Sequence, residues 1–415
     1  MSKSAQRFLM VLWILGLASP LVFVGVQFDD RTRDLVAVFR KDRLVFLVRD
    51  LPALCMKHAA TLGILVIIAA TLYLTARWFQ RSTWAARQAS LVSKNRIVVG
   101  VVALFGFTVL PCFLSDKYLG LAIFTGIYML LAMGLNLTVG MTGLLVLGYA
   151  GFYAIGAYTF GIMYLRWGVP FYVAILPAMI TGAIVGVLVG LPSIRLRGDY
   201  LAIVTLGFGE TVRFLLKNLS DITDGDRGIV ISSAAKIPRL AHSPLFPYSK
   251  SGEQIAYYLV FGLLLLSLWL VRNLVNSRIG RAWIAIREDE TAARAMGINT
   301  VRMKVIAFML SAIWAAVAGV IYVAREGYVE PEVFRFDESV LIVSMVILGG
   351  MGSGPGPILG AAVLYLVPQV LRDEFPALLD YRLMIFGVVM IGMMIFRPQG
   401  LLGSVRRKIE LETTS

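Results

Sequence analysis

Long apolar runs separated by short charged segments dominate the hydrophobic pattern of the chain. A bilayer core about 30 Å thick is crossed by about 20 apolar residues in a helix. Runs of this kind occur at Phe8–Val26, Ala59–Ala76, Ile97–Leu114, Leu119–Val139, Leu144–Leu165, Phe171–Leu191, Leu201–Leu215, Ile255–Val271, Val305–Ala324 and Leu383–Phe396. The pattern predicts an all-α polytopic membrane protein with about ten transmembrane helices.

One further apolar interval, Ser339–Leu371, is interrupted by the sequence GGMGSGPGP at Gly349–Pro357. Glycine and proline break helices, and transporters use pairs of short helices at membrane depth. We therefore expect this interval to form a hairpin of two half-length helices that return to the same side, rather than one long span.

Composition supports membrane insertion and argues against nucleic-acid binding. Of 415 residues, 58% are hydrophobic and 15% are charged, whereas soluble domains have roughly 45–50% and about 25%. The formal net charge is +14. Its basic residues lie in short loops between apolar runs, as the positive-inside bias predicts, so a lipid bilayer and not a nucleic acid is the expected environment.

Charge bias in the loops also predicts the topology. The loop from Arg77 to Arg96 carries five basic and no acidic residues, which places it in the cytoplasm. Counting alternate crossings from this loop puts Asn218–Glu253 and Arg325–Glu338 outside and Arg272–Lys304 inside. The basic excess of Arg272–Lys304 and the acidic excess of Arg325–Glu338 agree with this count. Both termini are predicted to be cytoplasmic.

These assignments divide the chain into three parts. Residues 1–115 form an N-terminal extension with three additional spans and a charged external loop. The first run could be a signal peptide or a span, and because it is long for a signal peptide and lacks a clear cleavage site, a retained span is favoured. Residues 116–403 form the core membrane domain, which includes a cytoplasmic segment at 278–300. Residues 404–415 form a cytoplasmic tail.

Glycine-rich breaks occur at Gly134–Tyr158 and again at Gly349–Gly356. Glycines in membrane helices either permit close helix packing or mark an unwound part of a translocation path, and both interpretations stay open. Two breaks in separate halves of the chain point to a central path. The candidate path residues are Gly143, Gly148, Tyr149, Thr205, Gly207, Glu210, Gly349, Gly350, Gly352 and Gly354.

Among these candidates, Glu210 is ionisable and lies in a predicted span. It could line the path, or it could form an ion pair with Arg213 three residues later. Proton coupling would require a second ionisable group in the membrane. The sequence offers no second convincing one, which disfavours a proton-driven carrier.

The segment Arg281–Met296 is predicted to be one amphipathic helix on the cytoplasmic side. Glu290 precedes Arg294 by four residues, as in a favourable helix pair, and Gly297 fits a helix C-terminus. Its acidic run Glu288–Glu290 would be repelled by anionic lipids, so a protein partner is favoured over the membrane surface. The candidate residues for contact with such a partner are Arg281, Arg287, Glu288, Asp289, Glu290, Ala293 and Gly297.

The sequence shows no recognisable nucleotide-binding, catalytic or metal-binding motif. No Gly-Lys dipeptide occurs, so a Walker A loop is missing, and no catalytic group of Ser, His and Asp is recognisable. Cys55, Cys112, His58 and His242 have no metal-site spacing. We expect a protein that is not an enzyme and has no cofactor of its own, so any ATP and Mg²⁺ would be bound by a partner.

Five ordered motifs carry a family resemblance over roughly residues 118–403. They are GLNLTVGMTGLLVLGYAGFYAIGAY from Gly134, LRGDYLAIVTLGFGETVR from Leu196, IGRAWIAIREDETAARAMGI from Ile279, LGGMGSGPGPILGA from Leu348 and FRPQGLL from Phe396. The chain thereby resembles the LivM/BraE-type permease subunits of high-affinity branched-chain amino acid ABC transporters. One departure is Asp224, where the family often has glycine in a turn.

The resemblance implies a LivHM-type fold in the bacterial inner membrane. It implies import of leucine, isoleucine and valine together with a LivH-type permease, two cytoplasmic ATPases and a periplasmic binding protein. It also implies that Glu290, Ala292, Ala293, Ala295 and Gly297 correspond to a coupling helix that docks on an ATPase. The alternatives are a related ABC permease for urea or short amides and an ion-driven secondary carrier, with an integral membrane enzyme more remote.

Overall fold

A computed structural model describes residues 116–193, 199–231, 252–374, 387 and 400–401. The structure does not describe the three predicted spans before residue 116, the predicted external loop between two of them, or the predicted tail. So does the predicted span Leu383–Phe396, except for residue 387. The predicted count of about ten spans and the proposed division at residues 115 and 403 therefore stay predictions.

The described chain is mainly helical. Its longer helices are α1 (Asp116–Leu135), α2 (Tyr149–Trp167), α3 (Phe171–Ser193), α4 (Asp199–Asn218), α6 (Gly252–Asn276), α9 (Thr300–Glu326), α10 (Phe336–Gly349) and α11 (Gly356–Glu374). The shorter elements are a π-helix (Asn136–Thr142), α5 (Ser220–Thr223), β1 (Ile229–Val230), α7 (Arg278–Glu288), α8 (Glu290–Ala295), β2 (Tyr328–Val329) and two 3-10 turns (Gly225–Arg227 and Pro331–Phe334).

Four helical stretches within the described residues are long and apolar enough to cross a membrane. They are Lys117–Thr142, Phe171–Pro192, Glu253–Asn276 and Thr300–Glu326. Each overlaps one of the apolar runs predicted to be a span. Helices α2 and α4 correspond to two further predicted runs. Helix α2 begins five residues after the start of its run, since residues 144–148 are not helical.

Helix α9 lies at the centre of the described core and packs against α1, α2 and α3. Small residues permit this close contact. A methyl group added at Gly156 would lie 2.1 Å from the Ala316 carbonyl oxygen, and one at Gly319 would lie 2.4 Å from the Tyr153 carbonyl oxygen. Such backbone approach is typical of small-residue helix interfaces in membranes. The close-packing interpretation is confirmed for Gly156, and Gly319 on the facing helix follows the same rule.

A small antiparallel sheet joins the two segments that the sequence places outside. Ile229 pairs with Val329 and Val230 with Tyr328. Just before β1, Asp224 adopts φ 62°, the one positive φ of a non-glycine residue in the described chain. This left-handed conformation favours glycine but is also accessible to aspartate, which explains how the turn accommodates the departure from the family pattern.

Helices α10 and α11 form the predicted hairpin around the second glycine-rich break. Gly350 and Gly352 have φ 112° and 80° in the turn, and Gly349 lies against Gly356 while Gly360 lies against Met345. This register makes the two helices antiparallel. The 14 residues of α10 extend for about 21 Å, too short to cross a bilayer core alone. With 19 residues, α11 is longer than the half-length helix predicted.

Candidate functional site

The coupling segment, residues 278–300, contains two helices and not the single helix predicted over Arg281–Met296. Asp289 separates α7 from α8 with φ −154° and ψ 112°. Its carboxylate accepts hydrogen bonds from the backbone N–H groups of Thr291 at 2.7 Å and Ala292 at 2.9 Å. Aspartate competes for backbone donors in this way and caps a new helix. The prediction of one continuous helix is wrong for this reason.

The end of α8 is built as the sequence predicts. Gly297 has φ 83°, and its N–H donates to Arg294 O at 3.0 Å while the Ile298 N–H donates to Ala293 O at 3.1 Å. These two bonds form the Schellman motif, in which glycine supplies the left-handed residue. The prediction that Gly297 ends the helix is confirmed.

Glu290 anchors α8 to the start of α9. Its carboxylate lies 3.2 Å from Arg294, which confirms the predicted helix pair, and 2.8 Å from Lys304 Nζ. The Lys304 residue is only 3% exposed. A buried charge requires such a partner. The sequence concealed this contact because Lys304, at the edge of an apolar run, resembles an ordinary cytoplasmic flanking charge.

Helix α7 is fixed to α9 through Trp283, whose side chain is fully buried. Its indole N–H donates to the Met303 carbonyl at 2.8 Å. Together, the Trp283 and Lys304 contacts attach both halves of the coupling segment to the helix at the centre of the core. By contrast, Arg281, Glu288 and Met296 are exposed on the segment.

Arg287 points towards the glycine-rich breaks. Its Nη1 donates to the Gly140 carbonyl at 2.6 Å. Methyl groups added at Gly143 and Gly352 would lie 3.1 Å from Arg287 Cγ and 2.6 Å from its Nη1, respectively. One side chain of the coupling segment therefore contacts the first break and lies directly beside the second.

The first break is an unwound part of the membrane region. After α1, residues Asn136–Thr142 form a π-helix, Gly143 has φ 74°, and α2 begins only at Tyr149. Short π-helical stretches often occur at functional sites. The unwinding is thus observed, and it coexists with close packing at neighbouring glycines. A role in a translocation path stays a prediction.

Asn136 ties the first break to the hairpin turn. It is 1% exposed, its Nδ2 donates to Ser353 O at 3.0 Å, and its Oδ1 accepts from the Gly352 N–H at 3.0 Å. The two bonds satisfy buried backbone groups of the turn. Sequence reasoning missed Asn136, although an amide within an apolar, glycine-rich run is a signal for an interhelical hydrogen bond.

Several candidate path residues meet around the first break. A methyl group at Gly148 would lie 1.7 Å from the Thr205 carbonyl oxygen, and the Thr205 hydroxyl accepts from the Leu147 N–H at 3.1 Å. The Tyr149 hydroxyl donates to Ser311 O at 3.1 Å. Gly349, Gly350 and Gly352 belong to the hairpin turn nearby. Methyl groups at Gly207 and Gly354 would meet no described atom within 4 Å.

Glu210 follows Gly209, which lies against Gly148 in the first break, but its side chain belongs to a charge network towards the end of α4 that is predicted to lie outside. It pairs with Arg213 at 2.8 Å, which confirms the predicted ion pair. Glu332 accepts from Arg213 at 3.1 Å and from Lys217 at 3.3 Å, and Asp226 lies 3.0 Å from Lys217. The hydrogen bonds of Asp226 and Glu332 raise the pKa of Lys217. This network joins α4 to both segments predicted to lie outside.

Glu338 is an ionisable residue that lies beside a candidate span. The sequence placed it in the external segment Arg325–Glu338. Instead, it lies in the first turn of α10 and accepts a hydrogen bond from Tyr128, which is 12 residues, or about 18 Å, beyond the start of α1. The chain after α9 folds back along α2, so α10 begins beside the core and outside the four candidate spans. The expectation that the membrane holds no second ionisable group stays a prediction.

Comparisons with known proteins agree on one family. A family model described as "Branched-chain amino acid transport system / permease component" matches residues 117–394. The permease protein LivM of the high-affinity branched-chain amino acid transport system of Salmonella typhimurium is 42% identical over 73% of this chain and 74% of its own length. LivM of Escherichia coli K12 is 43% identical over the same shares. LivH of E. coli K12 is 27% identical over 66% of this chain and 91% of its own length. No solved structure matches the chain.

Proposed function

The chain belongs to the family of permease components of branched-chain amino acid transport systems, and from this premise we propose that it is the membrane subunit of an ATP-driven importer of leucine, isoleucine and valine. It accepts cargo from a periplasmic binding protein and pairs with a LivH-type permease in the bacterial inner membrane. Two cytoplasmic ATPases supply the driving force. Similarity to both LivM and LivH supports the pairing of two related permeases.

The coupling segment is proposed to transmit movement from the ATPase to the translocation path. The contact that carries this proposal is the hydrogen bond from Arg287 to Gly140 O, since it joins the segment to the unwound break. Asn136 then links that break to the turn of the α10–α11 hairpin. A shift of α7 would therefore act on both breaks without an intervening flexible loop.

Residues of the coupling segment divide into two groups under this proposal. Arg281 and Glu288 are exposed and form the docking surface for an ATPase, together with the neighbouring Met296, which is 83% exposed. Arg287, Glu290 and Ala293 face the permease and position the segment. Asp289 determines the angle between α7 and α8 because it ends one helix and caps the next.

Reconstitution in proteoliposomes tests the proposal. The chain, a LivH-type partner, both ATPases and the binding protein should take up labelled leucine only when ATP is supplied. The chain alone, given a proton or sodium gradient, should transport nothing. Uptake driven by a gradient alone would identify a secondary carrier, and uptake of urea in place of leucine would identify a permease for short amides. Either result would overturn the proposal.

A further inference from the structure

A basic surface lies where α6 ends and α7 begins, on the side that the sequence predicts to be cytoplasmic. Leu265, Trp269, Arg272 and Asn276 follow one another at intervals of four, three and four residues, so they share one side of α6. All four are exposed in the described chain, Trp269 at 60%. Along this side the helix changes from aliphatic to aromatic and then to basic, which is typical of a helix that leaves a bilayer through the headgroups.

The start of α7 packs on the last turn of α6. A methyl group added at Gly280 would lie 2.3 Å from the Leu274 carbonyl oxygen, so the two elements are in backbone contact. Arg281 Nη1 donates to Asn276 O at 2.8 Å, which closes the angle between the two helices. These contacts fix Arg278, the first residue of α7, beside the end of α6.

Arg272 and Arg278 are near enough to act on one ligand. The four residues from Arg272 to Asn276 rise about 6 Å along α6 and the next two residues add at most about 7 Å, so the two arginine Cα atoms are within about 13 Å. Two extended arginine side chains can span this distance around a ligand. We call Trp269, Arg272 and Arg278 the α6–α7 corner.

The protein does not neutralise the charges of the α6–α7 corner. Among the described residues, Arg272 and Arg278 make no ion pair, whereas Arg294 and Lys304 on the same predicted cytoplasmic side both pair with Glu290. The first turn of α7 also contains no acidic residue. A cation at a helix N-terminus is unfavourable, and an anion bound there offsets this cost.

The depth of Arg272 favours a lipid over a protein as the source of that anion. Arg272 lies within the candidate span Glu253–Asn276, one turn before its end, and most of this span is exposed in the described chain. An ATPase that docks on the coupling segment would not reach the side of a membrane span. Arginine meets headgroups at this level because its stem stays in the apolar layer while the guanidinium extends to the phosphates.

We propose that the α6–α7 corner binds the headgroup phosphate of an anionic phospholipid in the cytoplasmic leaflet. Arg272 and Arg278 are the charged partners, since guanidinium groups match phosphate oxygens in geometry and charge. Trp269 packs beside the upper part of the acyl chains. This inference goes beyond the proposed function, because binding requires only that the chain lies in a membrane.

Occupation of the corner also affects the coupling segment. A headgroup that bridges Arg272 and Arg278 holds α7 at a fixed angle to α6. Arg287 on the same helix contacts the first break, so a firmly placed α7 passes on movement with less loss. This consequence rests on the proposed function, unlike the binding itself.

Titration of phosphatidylglycerol into the detergent-purified complete complex tests the site, with bound lipid counted by native mass spectrometry. Arg272→Gln/Arg278→Gln should bind the lipid at this site at least tenfold more weakly than wild type, since each arginine near an anionic headgroup strengthens binding roughly fivefold. Arg272→Lys/Arg278→Lys keeps both charges and should stay within threefold. The matched control is Arg166→Gln, because Arg166 is exposed beside the exposed Trp167 at the end of α2 predicted to lie outside; it should bind like wild type.

Competitors identify the source of the phosphate. Phosphatidylcholine has the same acyl chains but no net charge, and inorganic phosphate has the charge but no acyl chains. Neither should displace phosphatidylglycerol from the corner. Displacement by inorganic phosphate would identify a soluble-anion site, and displacement by phosphatidylcholine would identify a site without charge selectivity; either result overturns the proposal.

Leucine import in vesicles measures the consequence for coupling. Wild type should import at least threefold more leucine per ATP in phosphatidylcholine vesicles with added phosphatidylglycerol than in phosphatidylcholine alone, and Arg272→Gln/Arg278→Gln should show no such difference. Equal stimulation of both would place the lipid effect elsewhere and overturn the role in coupling. A complex that binds phosphatidylglycerol at the corner but imports no leucine overturns only the proposed function.

Two further outcomes concern the double variant itself. If Arg272→Gln/Arg278→Gln binds phosphatidylglycerol as wild type does, or if it keeps its partner permease but loses the ATPases, the arginines do not form a lipid site and the proposal is overturned. If the permease does not assemble, Arg278→Gln alone decides. A threefold or greater loss of binding then supports the site, and a smaller loss rejects it.

Discussion

The two ends of the described core, called inner and outer here after the side that the sequence predicts for each, hold their segments together in different ways. At the inner end, Arg287, Asn136 and Lys304 make buried or half-buried contacts, and those of Arg287 and Asn136 connect parts of the chain far apart in sequence. At the outer end, Arg213, Lys217, Asp226 and Glu332 form several exposed ion pairs with shared partners.

The contrast indicates where specific motion can be transmitted. Exposed ion pairs are screened by salt and are worth roughly 0–1 kcal/mol each, so a shared network tolerates the loss of one member. A buried contact has no water to replace a lost partner, and its loss leaves an unsatisfied group. The inner end should therefore be sensitive to single substitutions, and the outer end should not.

The largest expected effect is at Gly148. A methyl group there would lie 1.7 Å from the Thr205 carbonyl oxygen, and backbone cannot yield as a flexible side chain can. We expect Gly148→Ala to reduce ATP-dependent leucine uptake at least tenfold in proteoliposomes. Gly262→Ala in α6 is the matched control, because its added methyl meets no described atom within 4 Å. Equal uptake by the two variants would remove Gly148 from the path.

Arg287→Ala should separate ATP hydrolysis from transport. It removes the hydrogen bond to Gly140 O but leaves the exposed docking residues in place. We expect about a tenfold fall in leucine transported per ATP hydrolysed, equivalent to about 1.4 kcal/mol of coupling. The control is Arg302→Ala, an exposed arginine at the start of α9. An unchanged ratio in Arg287→Ala would leave the coupling segment without its proposed connection.

Lys304→Met should loosen α8. It removes the partner that Glu290 has on α9. Since Glu290 keeps 20% side-chain exposure, we expect a loss of about 2 kcal/mol, below the 3–5 kcal/mol typical of a fully buried pair. Thermal unfolding of the purified complex measures the loss. A double-mutant cycle with Glu290→Gln should show that the two effects are not additive. Additive effects would mean that the pair does not stabilise the segment.

The smallest effect is expected in the outer network. Glu332→Gln should lower the free energy of unfolding by less than about 1 kcal/mol, and this difference from wild type should disappear in high salt. Because the pKa of Lys217 is raised by its acidic partners, its contribution is present at neutral pH and is lost only as alkaline pH deprotonates the lysine. Thermal unfolding in low and high salt checks this. A loss as large as that in Lys304→Met would contradict the contrast between the two ends.

Local patterns in the sequence predicted local features correctly. The pairs Glu290–Arg294 and Glu210–Arg213 follow helix spacing, Gly297 follows helix-capping rules, and both glycine-rich breaks follow composition. Each of these depends on residues a few positions apart. Helix geometry alone therefore decides them.

Contacts between distant residues could not be predicted in this way. Arg287 meets Gly140 across 147 positions and Asn136 meets Gly352 across 216; no periodicity encodes either pairing. Asp289 was ambiguous because an acidic run is compatible with both a continuous helix and a new N-cap. Charge counting also could not show that the chain after α9 folds back along α2 before α10 begins.

Distance measurements between spin labels test the central claim, that the coupling segment moves the breaks through Arg287. Cys55 and Cys112 are replaced by serine, and one label is placed at Thr291 on α8 or at Leu359 on α11, both exposed. A second label in α6 serves as the reference for both distances in the complete complex. The account predicts that trapping ATP changes the distance from Leu359 to α6 in wild type. In Arg287→Ala this change should disappear, while the distance from Thr291 to α6 still changes. An identical hairpin movement in Arg287→Ala would contradict it.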